Sequence, residues 1–285
     1  MIALRRLFLL FCLILAAPTL AVPALWTATK DGRTFTLYGT IHALPAGTDW
    51  FTPKARAAFA AADTLVVEMV PPEDPGAMAA AMQDIGFLPA PVPIRARLPD
   101  DLKPRYDAMV KASDLPLANL DRMKSWFAAI SLVQLEMLMA GIDPAAGVDV
   151  SLITHARAAG KTLAGLETPR GQLELFNGLP EAEQRLLLAS AIGDVGQSKT
   201  AMLGLITSWS AGDVDRLRKE FDDSGLSPEL EKRLFQDRNA AWADFVDRLH
   251  GRQQVFMAVG AAHMAGRDSL IAMLKARGFT VERVE

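Results

Sequence analysis

The sequence predicts an α/β fold: a mixed, largely parallel β-sheet flanked by helices, with a helical insertion before the last strands. The apolar run at 64–70 is interrupted only by Glu68, which is typical of a strand covered on both faces, and the apolar residues 255–259 predict a second buried strand. Helical segments alternate with strand-like runs along the chain, as they do when helices pack on a sheet. The segment 172–249 is helical in pattern throughout and forms the predicted insertion.

The individual elements follow from local signals. Asp31-Gly32 is typical of a tight turn, so the segments 25–30 and 33–41 on either side of it predict a β-hairpin. Thr52-Pro53 predicts a helix start, because proline is tolerated in the first turn. In chain order, the further predicted elements are a helix at 53–62, a strand at 64–70, short helical pieces at 75–119, helices at 122–140 and 149–159, a strand at 161–166, helices within 172–249, a strand at 253–259, a helix at 267–277 and a strand at 279–284.

The N-terminal segment, residues 1–21, has the pattern of a secretory signal peptide. Arg5 and Arg6 give it a positive start, an apolar stretch follows, and small residues at 19–21 offer a cleavage site. This predicts a periplasmic or secreted protein, with a membrane anchor formed by uncleaved residues 7–21 as the alternative. We expect residues 22–285 to form a single domain, because neither a Ser/Gly-rich linker nor a repeat interrupts them.

Composition excludes several classes of function. The formal net charge is −3 and no basic run is present, which argues against nucleic acid as a partner. The single cysteine, Cys12, lies in the predicted signal, so the mature chain would have neither thiolate chemistry nor a cysteine zinc site. The chain also lacks a Gly-x-Ser-x-Gly elbow, a His-Glu-x-x-His helix and a phosphate-binding glycine loop.

Two Gly-x-x-His motifs are the strongest functional signal in a chain with only four histidines. Gly39 precedes His42, and Gly260 precedes His263, each at the C-terminal end of an apolar run. Those ends share one edge in a parallel sheet, and ligands bind at that edge. Two imidazoles meeting there would form a metal site or a proton-transfer site. The alternative is two unrelated histidines that are hydrogen-bonded in the core.

Two carboxylates point to the same edge. Glu68 interrupts an apolar strand, and burying it unpaired would cost several kcal/mol, so it needs a cation, a metal or hydrogen-bond donors. The alternative is a strand-end glutamate in solvent. Glu167 follows the strand at 161–166, which would place its side chain at the same edge. In the alternative interpretation, Glu167 only interacts with the dipole at the start of the next helix. Two histidines and one carboxylate form an open ligand set for zinc, manganese or iron.

Arg238 lies where the helical pattern places the core. It is four residues after Leu234 and four before Trp242, on the apolar stripe of a predicted helix. A guanidinium there needs Glu68, Glu167 or a substrate carbonyl as its partner. The alternative is an arginine that reaches solvent from the helix flank.

Three other residues carry weaker signals. His155 is expected to be exposed, and His250 fits a helix C-terminus. Asp149, in Gly147-Val148-Asp149, also fits a simple helix N-cap.

On these residues the chain resembles the TraB/PrgY/GumN family, in the layout of its compact YbaP-like bacterial members. The resemblance covers nearly all of the mature chain, and its motifs are residues 37–42, 65–68, 147–149, 165–168, 238–239 and 259–266. The family is similar to the Tiki metal-dependent peptidases and, more distantly, to erythromycin-esterase-like and haem-binding ChaN-like proteins. A proline that usually precedes the tryptophan of the helix at 122–140 is Ser125 here, which weakens Trp126 as a site residue.

The resemblance implies an α/β core and a site formed by His42, His263 and Glu68. We therefore expect an exported metal-dependent hydrolase, most readily a peptidase, in which these three side chains bind a divalent ion (Mn, Co or Zn). Glu68 would be a ligand or the general base, and Glu167 a second base or a support for the ligands. Arg238 would stabilise the oxyanion or anchor Glu68. Supporting roles are expected for Gly39, Gly260, Asn239 and Asp149.

The expected substrate is a peptide or a small ester or amide. Two alternatives to the metal-dependent enzyme stay open. One is an esterase-type hydrolase in which a histidine and a glutamate act without a metal. The other is a protein that binds haem or a peptide without turning it over.

Overall fold

The computed structural model describes residues 20–112, 117–193, 198–223, 227–249 and 254–285. The predicted signal peptide lies almost entirely outside these ranges, as does His250. Within them, no helix combines the length and the apolar character needed to cross a membrane.

The strands form one mixed sheet and one small ribbon, and their bounds are β1 Leu25–Lys30, β2 Arg33–Thr40, β3 Leu44–Pro45, β4 Thr64–Met69, β5 Ile142–Asp143, β6 Thr162–Glu167, β7 Val255–Gly260 and β8 Thr280–Arg283. Six strands form the main sheet in the order β6-β4-β7-β2-β1-β8, while β3 pairs with β5. The strands β6, β4, β7 and β2 are parallel to one another, and β1 runs antiparallel to both of its neighbours. The predicted mixed, largely parallel sheet is therefore confirmed.

Helices flank this sheet, with bounds α1 Pro53–Ala61, α2 Pro75–Gly86, α3 Lys103–Ala112, α4 Ser125–Met139, α5 Val148–Ala158, α6 Pro169–Asn177, α7 Glu181–Gly193, α8 Ser198–Ser210, α9 Val214–Asp222, α10 Pro228–Glu231, α11 Asp237–Arg248 and α12 Leu270–Ala276. The helices α6 to α11 separate β6 from β7, which confirms the helical insertion. The helix predicted at 122–140 begins only at Ser125, because a 3₁₀ segment, Leu117–Arg122, precedes it.

The hairpin forms where the sequence predicts it. Asp31 and Gly32 have φ angles of 52° and 74°, the left-handed values that a type I′ turn requires. The twist of such a turn matches that of the paired strands, and β1 pairs with β2 from Leu25 opposite Tyr38 onward.

The core lies on both faces of the central strands. Phe256, Met257, Ala258 and Val259 of β7 are completely buried, as expected for a parallel strand covered by helices on both sides. A second, smaller apolar cluster joins α4 to α7, including Leu132 and Leu188. The insertion helices α6, α8 and α9 line one cavity together with residues at the C-terminal ends of β2, β4 and β7, where the predicted site residues lie.

Candidate functional site

The C-terminal edge of four parallel strands brings the predicted residues together. Thr40 of β2 is in register with Gly260 of β7, so His42 and His263 leave neighbouring strands at nearly the same level. Glu68 lies on β4, which pairs with the other side of β7. Glu167 is the last residue of β6, opposite Met69, rather than the residue after the strand.

Three glycines allow this close assembly. A Cβ on Gly39 would lie 3.0 Å from the Cβ of Ala261, so a side chain there would push β2 away from the turn after β7. A Cβ on Gly260 would lie 3.2 Å from Oε1 of Glu68. A Cβ on Gly147 would lie only 2.3 Å from the carbonyl oxygen of His42, so the start of α5 can approach the first histidine only through a glycine.

Glu68 is a buried anion with strong partners. Its side chain is 8% exposed, which rules out the alternative of a glutamate in solvent. The backbone N–H of Gly260 donates to Oε1 at 2.7 Å, and Nη2 of Arg238 donates to Oε2. Burial alone would raise the pKa of Glu68, but the positive charge of Arg238 and the other donors lower it to about 2.

Arg238 lies on the core side of its helix, as predicted, and all its donors are engaged. Its Nε donates to Oε1 of Glu167 at 2.7 Å, and Nη2 donates to Oε2 of Glu167 at 3.2 Å as well as to Glu68. Its Nη1 donates to the Leu234 carbonyl and to Nε2 of His263, both at 3.2 Å. A guanidinium has five N–H groups, and these five contacts use them all.

This saturation separates the two roles predicted for Arg238. The side chain is 11% exposed, so it does not reach out to solvent. With no N–H left over, it anchors Glu68 and Glu167 and offers no donor to a substrate oxyanion. Glu167 also accepts a hydrogen bond from Nε1 of Trp242 at 3.0 Å, so this second carboxylate is held from two sides.

A π-helical turn, Lys232–Gln236, sets the position of Arg238. The predicted continuous helix is divided into α10, this turn and α11. A π turn adds a residue to the helical repeat and so rotates every side chain after it; such turns are frequent at functional sites. The turn ends two residues before Arg238, whose guanidinium lies 4.6 Å from the ring centre of Trp242.

His263 is neutral and has both ring nitrogens engaged. The Nδ2 of Asn239 donates to the Asp268 carbonyl at 2.8 Å, so its Oδ1 faces Nδ1 of His263 at 2.7 Å. The proton of the imidazole therefore lies on Nδ1, and Nε2 accepts from Arg238. Burial is the main cause that lowers the pKa of His263, to about 3.

His42 is arranged in the opposite way. Its Nδ1 lies 2.8 Å from Oδ2 of Asp149, and the hydroxyl of Thr40 donates to Oδ1 of Asp149 at 2.7 Å. The negative charge of Asp149 is the main cause that raises the pKa of His42 to about 9. Asp149 is not the N-cap of α5, because Gly147 takes that position. In the described part of the chain, Nε2 of His42 has no hydrogen-bond partner.

The Nε2 atom of His42 faces a cavity of about 700 Å³. The side chain of His42 lines this open space and is 69% exposed. The polar cluster forms one end of the cavity. The helices α4, α6, α8 and α9 contribute apolar side chains to its walls, among them Ile130, Leu175, Phe176, Leu205 and Leu217.

In this arrangement the three predicted metal ligands do not all present a free donor atom, because Nε2 of His263 is hydrogen-bonded to Arg238. The space above Gly260, where its Cβ would lie, is 3.2 Å from Oε1 of Glu68 and 4.0 Å from Nε2 of His42. The nearest His263 atom is the carbon Cδ2 at 3.4 Å, since Nε2 of that ring is bound to Arg238. Among the three heavy atoms nearest to this point, Oε1 of Glu68 and Nε2 of His42 are donor atoms of the kind that bind metals, whereas a catalytic zinc site has three protein ligands.

Within the ranges that the structure describes, no group of three or more His, Cys, Asp or Glu side chains is arranged to hold a metal ion. The divalent ion itself stays a prediction. Binding it with three protein ligands would require His263 to exchange Arg238 for the metal.

The weaker candidates lie outside the cluster. Trp126 is fully buried and stacks on Phe176 at 6.1 Å, behind the cavity wall. His155 is exposed, as predicted, and its Nδ1 lies 2.8 Å from the carbonyl of Ser151 in its own helix. Sequence reasoning missed Thr40, whose only signal was its place two residues before His42.

The sequence model of the TraB/PrgY/gumN family matches residues 24–283, nearly the whole chain. Neither the curated proteins nor the solved structures yield a significant match.

Proposed function

The chain belongs to the TraB/PrgY/gumN family, and on that premise we propose that it is a hydrolase whose acid–base residue is His42. One observation carries the proposal: Asp149 and Thr40 fix the His42 ring through Nδ1 and leave Nε2 free in a cavity. An imidazole oriented in this way by a carboxylate is the usual general base of hydrolytic sites.

The proposed step is the hydrolysis of an ester or amide. Because the pKa of His42 is about 9, its Nε2 must first release its own proton, so the rate should rise with pH toward that value. The neutral Nε2 then accepts a proton from a water molecule, whose oxygen forms a bond to the substrate carbonyl carbon. The bond from that carbon to the leaving oxygen or nitrogen then breaks, and the imidazolium returns its proton to the leaving group. Asp149 stabilises the imidazolium and holds the tautomer with the proton on Nδ1.

Glu68 has a different part in the proposal. Because its pKa is lowered to about 2, it is a poor base near neutral pH. Its Oε1 borders the same space as Nε2 of His42, so it can accept a hydrogen bond from the attacking water and orient it. Arg238, Glu167 and His263 act as positioning residues that keep Glu68 in place.

A purified mature protein assayed with a chromogenic acetate ester tests the proposal. We expect His42→Ala to lower kcat/KM by roughly 10²- to 10⁴-fold, the usual contribution of a general base. His155→Ala is the matched control, since this histidine is exposed and does not line the cavity; it should keep wild-type activity. Full activity in His42→Ala, or no hydrolysis by the wild-type protein, would overturn the proposal.

We also propose export, on the pattern of residues 1–21. Expression with this segment should deliver a shortened protein to the periplasm or the medium, and mass spectrometry should find its new N-terminus near residue 22. A full-length protein that stays with the membrane fraction would support the anchor instead.

A further inference from the structure

The cavity of the proposed hydrolase has two chemically different parts. Its polar end is the cluster around His42 and Glu68. Beyond that end the walls are formed by aliphatic and aromatic side chains, including Ile130, Leu175, Phe176, Leu205 and Leu217. Among the described residues of the lining, only Gln134 and Gln172 carry polar side chains outside the cluster.

The polar end has few groups left for a ligand. Thr40 and Asp149 are bonded to each other, and Arg238 uses every N–H on protein acceptors. Nε2 of His42 and Oε1 of Glu68 are the two polar atoms nearest to the space above Gly260. A carbonyl group and one water can meet these two atoms, and the neighbouring side chains already hydrogen-bond to one another.

The apolar walls of the cavity favour a hydrocarbon chain over a peptide as the buried part of a substrate. A peptide carries an N–H and a C=O at each residue, and burying such a group without a partner costs about 1–3 kcal/mol. A hydrocarbon chain carries neither, and burying it along apolar walls is favourable. A volume of about 700 Å³ lies in the ordinary range of small-molecule sites.

We propose that the substrate is an ester or amide with a long apolar acyl chain, which lies along these walls with its carbonyl group at His42. The inference rests on the proposed function, because it describes what the hydrolytic site would accept. It replaces the broader expectation of a peptide or a small ester or amide with one class.

A series of para-nitrophenyl esters from acetate through butyrate and octanoate to laurate tests this class. Each methylene buried in the cavity should raise kcat/KM by up to about fourfold until the walls are filled. A rate that depends on His42 but stays flat or falls along the series would overturn the substrate class and leave the hydrolase standing.

Two matched variants localise the effect. Ile130→Trp adds bulk to a half-buried residue of the cavity wall on α4, so it should lower kcat/KM for laurate at least tenfold more than it lowers kcat/KM for acetate. Val133→Trp adds the same bulk to an exposed residue of that helix outside the wall and should keep the wild-type preference. An unchanged preference in Ile130→Trp would refute the assignment of the chain to this cavity.

A binding measurement separates this inference from the hydrolase proposal. A dansyl-labelled fatty acid should bind the wild-type protein and Val133→Trp, should be displaced by lauric acid, and should bind Ile130→Trp at least tenfold more weakly. If the fatty acid binds as expected but no ester is hydrolysed, the hydrolase proposal is rejected and the binding site for an apolar chain is retained. Absence of binding to the wild-type protein would overturn the inference whatever the ester assays show.

Discussion

Replacing Arg238 with methionine tests the buried ion cluster. Methionine retains much of the apolar volume but removes the charge and all five donors. Glu68 and Glu167, whose side chains are 8% and 16% exposed, would then remain as buried carboxylates without their cation. Removing one partner of a buried pair costs about 3–5 kcal/mol, because the remaining charge is uncompensated.

The pKa of Glu68 gives a second estimate of how much the ion cluster contributes to stability. The cluster lowers that pKa from its ordinary value of 4.5 to about 2. At about 1.4 kcal/mol per unit, this corresponds to roughly 3 kcal/mol of stability. That stability is fully present above the unfolded-state pKa of 4.5 and is lost as the pH falls through about 2. Without Arg238, burial instead raises the pKa of Glu68.

Urea unfolding followed by tryptophan fluorescence measures the effect, since the chain contains five tryptophans. We expect Arg238→Met to lose about 3–5 kcal/mol at neutral pH and less at about pH 4, where the buried carboxyl takes up a proton. Adding Glu68→Gln to this variant should restore part of the loss. Arg170→Met is the matched control: Arg170 is 56% exposed, and its removal should leave the free energy of unfolding nearly unchanged. If Arg238→Met loses as little unfolding free energy as Arg170→Met, or if its loss does not vary with pH, the reasoning is refuted.

Three further predictions concern the histidines and their support. In an NMR titration, Asp149→Asn should bring the pKa of His42 from about 9 down toward about 6.5, and a pKa that stays near 9 would contradict the assigned cause. In the wild-type chain, the raised pKa stabilises the fold below about pH 6.5, and this contribution is lost as the pH rises through about 9. Gly147→Ala should cost about 1–3 kcal/mol in thermal unfolding because its Cβ would lie 2.3 Å from the His42 carbonyl, whereas Gly193→Ala, with its nearest atom at 3.9 Å, should be neutral. In a manganese titration, any binding should be lost in His42→Ala and kept in His263→Gln; equal loss in both variants would restore the three-ligand site.

The sequence by itself determined which residues belong together. The hairpin follows from Asp31-Gly32, because few dipeptides adopt two positive φ angles. The edge location of His42 and His263 follows from two apolar runs that end in glycine. The need of Glu68 for a partner, and the place of Arg238 on a core stripe, follow from the cost of burying charge.

Only the tertiary structure decided which atoms meet. The order β4-β7-β2 places Glu68 and His263 beside Arg238, which arrives from a helix that is distant in sequence. In the same arrangement, His42 is paired with Asp149 and not with Arg238. The two Gly-x-x-His motifs thereby give two different imidazoles. Both ring nitrogens of His263 are hydrogen-bonded and its pKa is lowered, whereas His42 pairs with Asp149 through Nδ1 only and its pKa is raised. Local patterns cannot encode this difference, because ring orientation and pKa depend on neighbours that folding brings from distant parts of the chain.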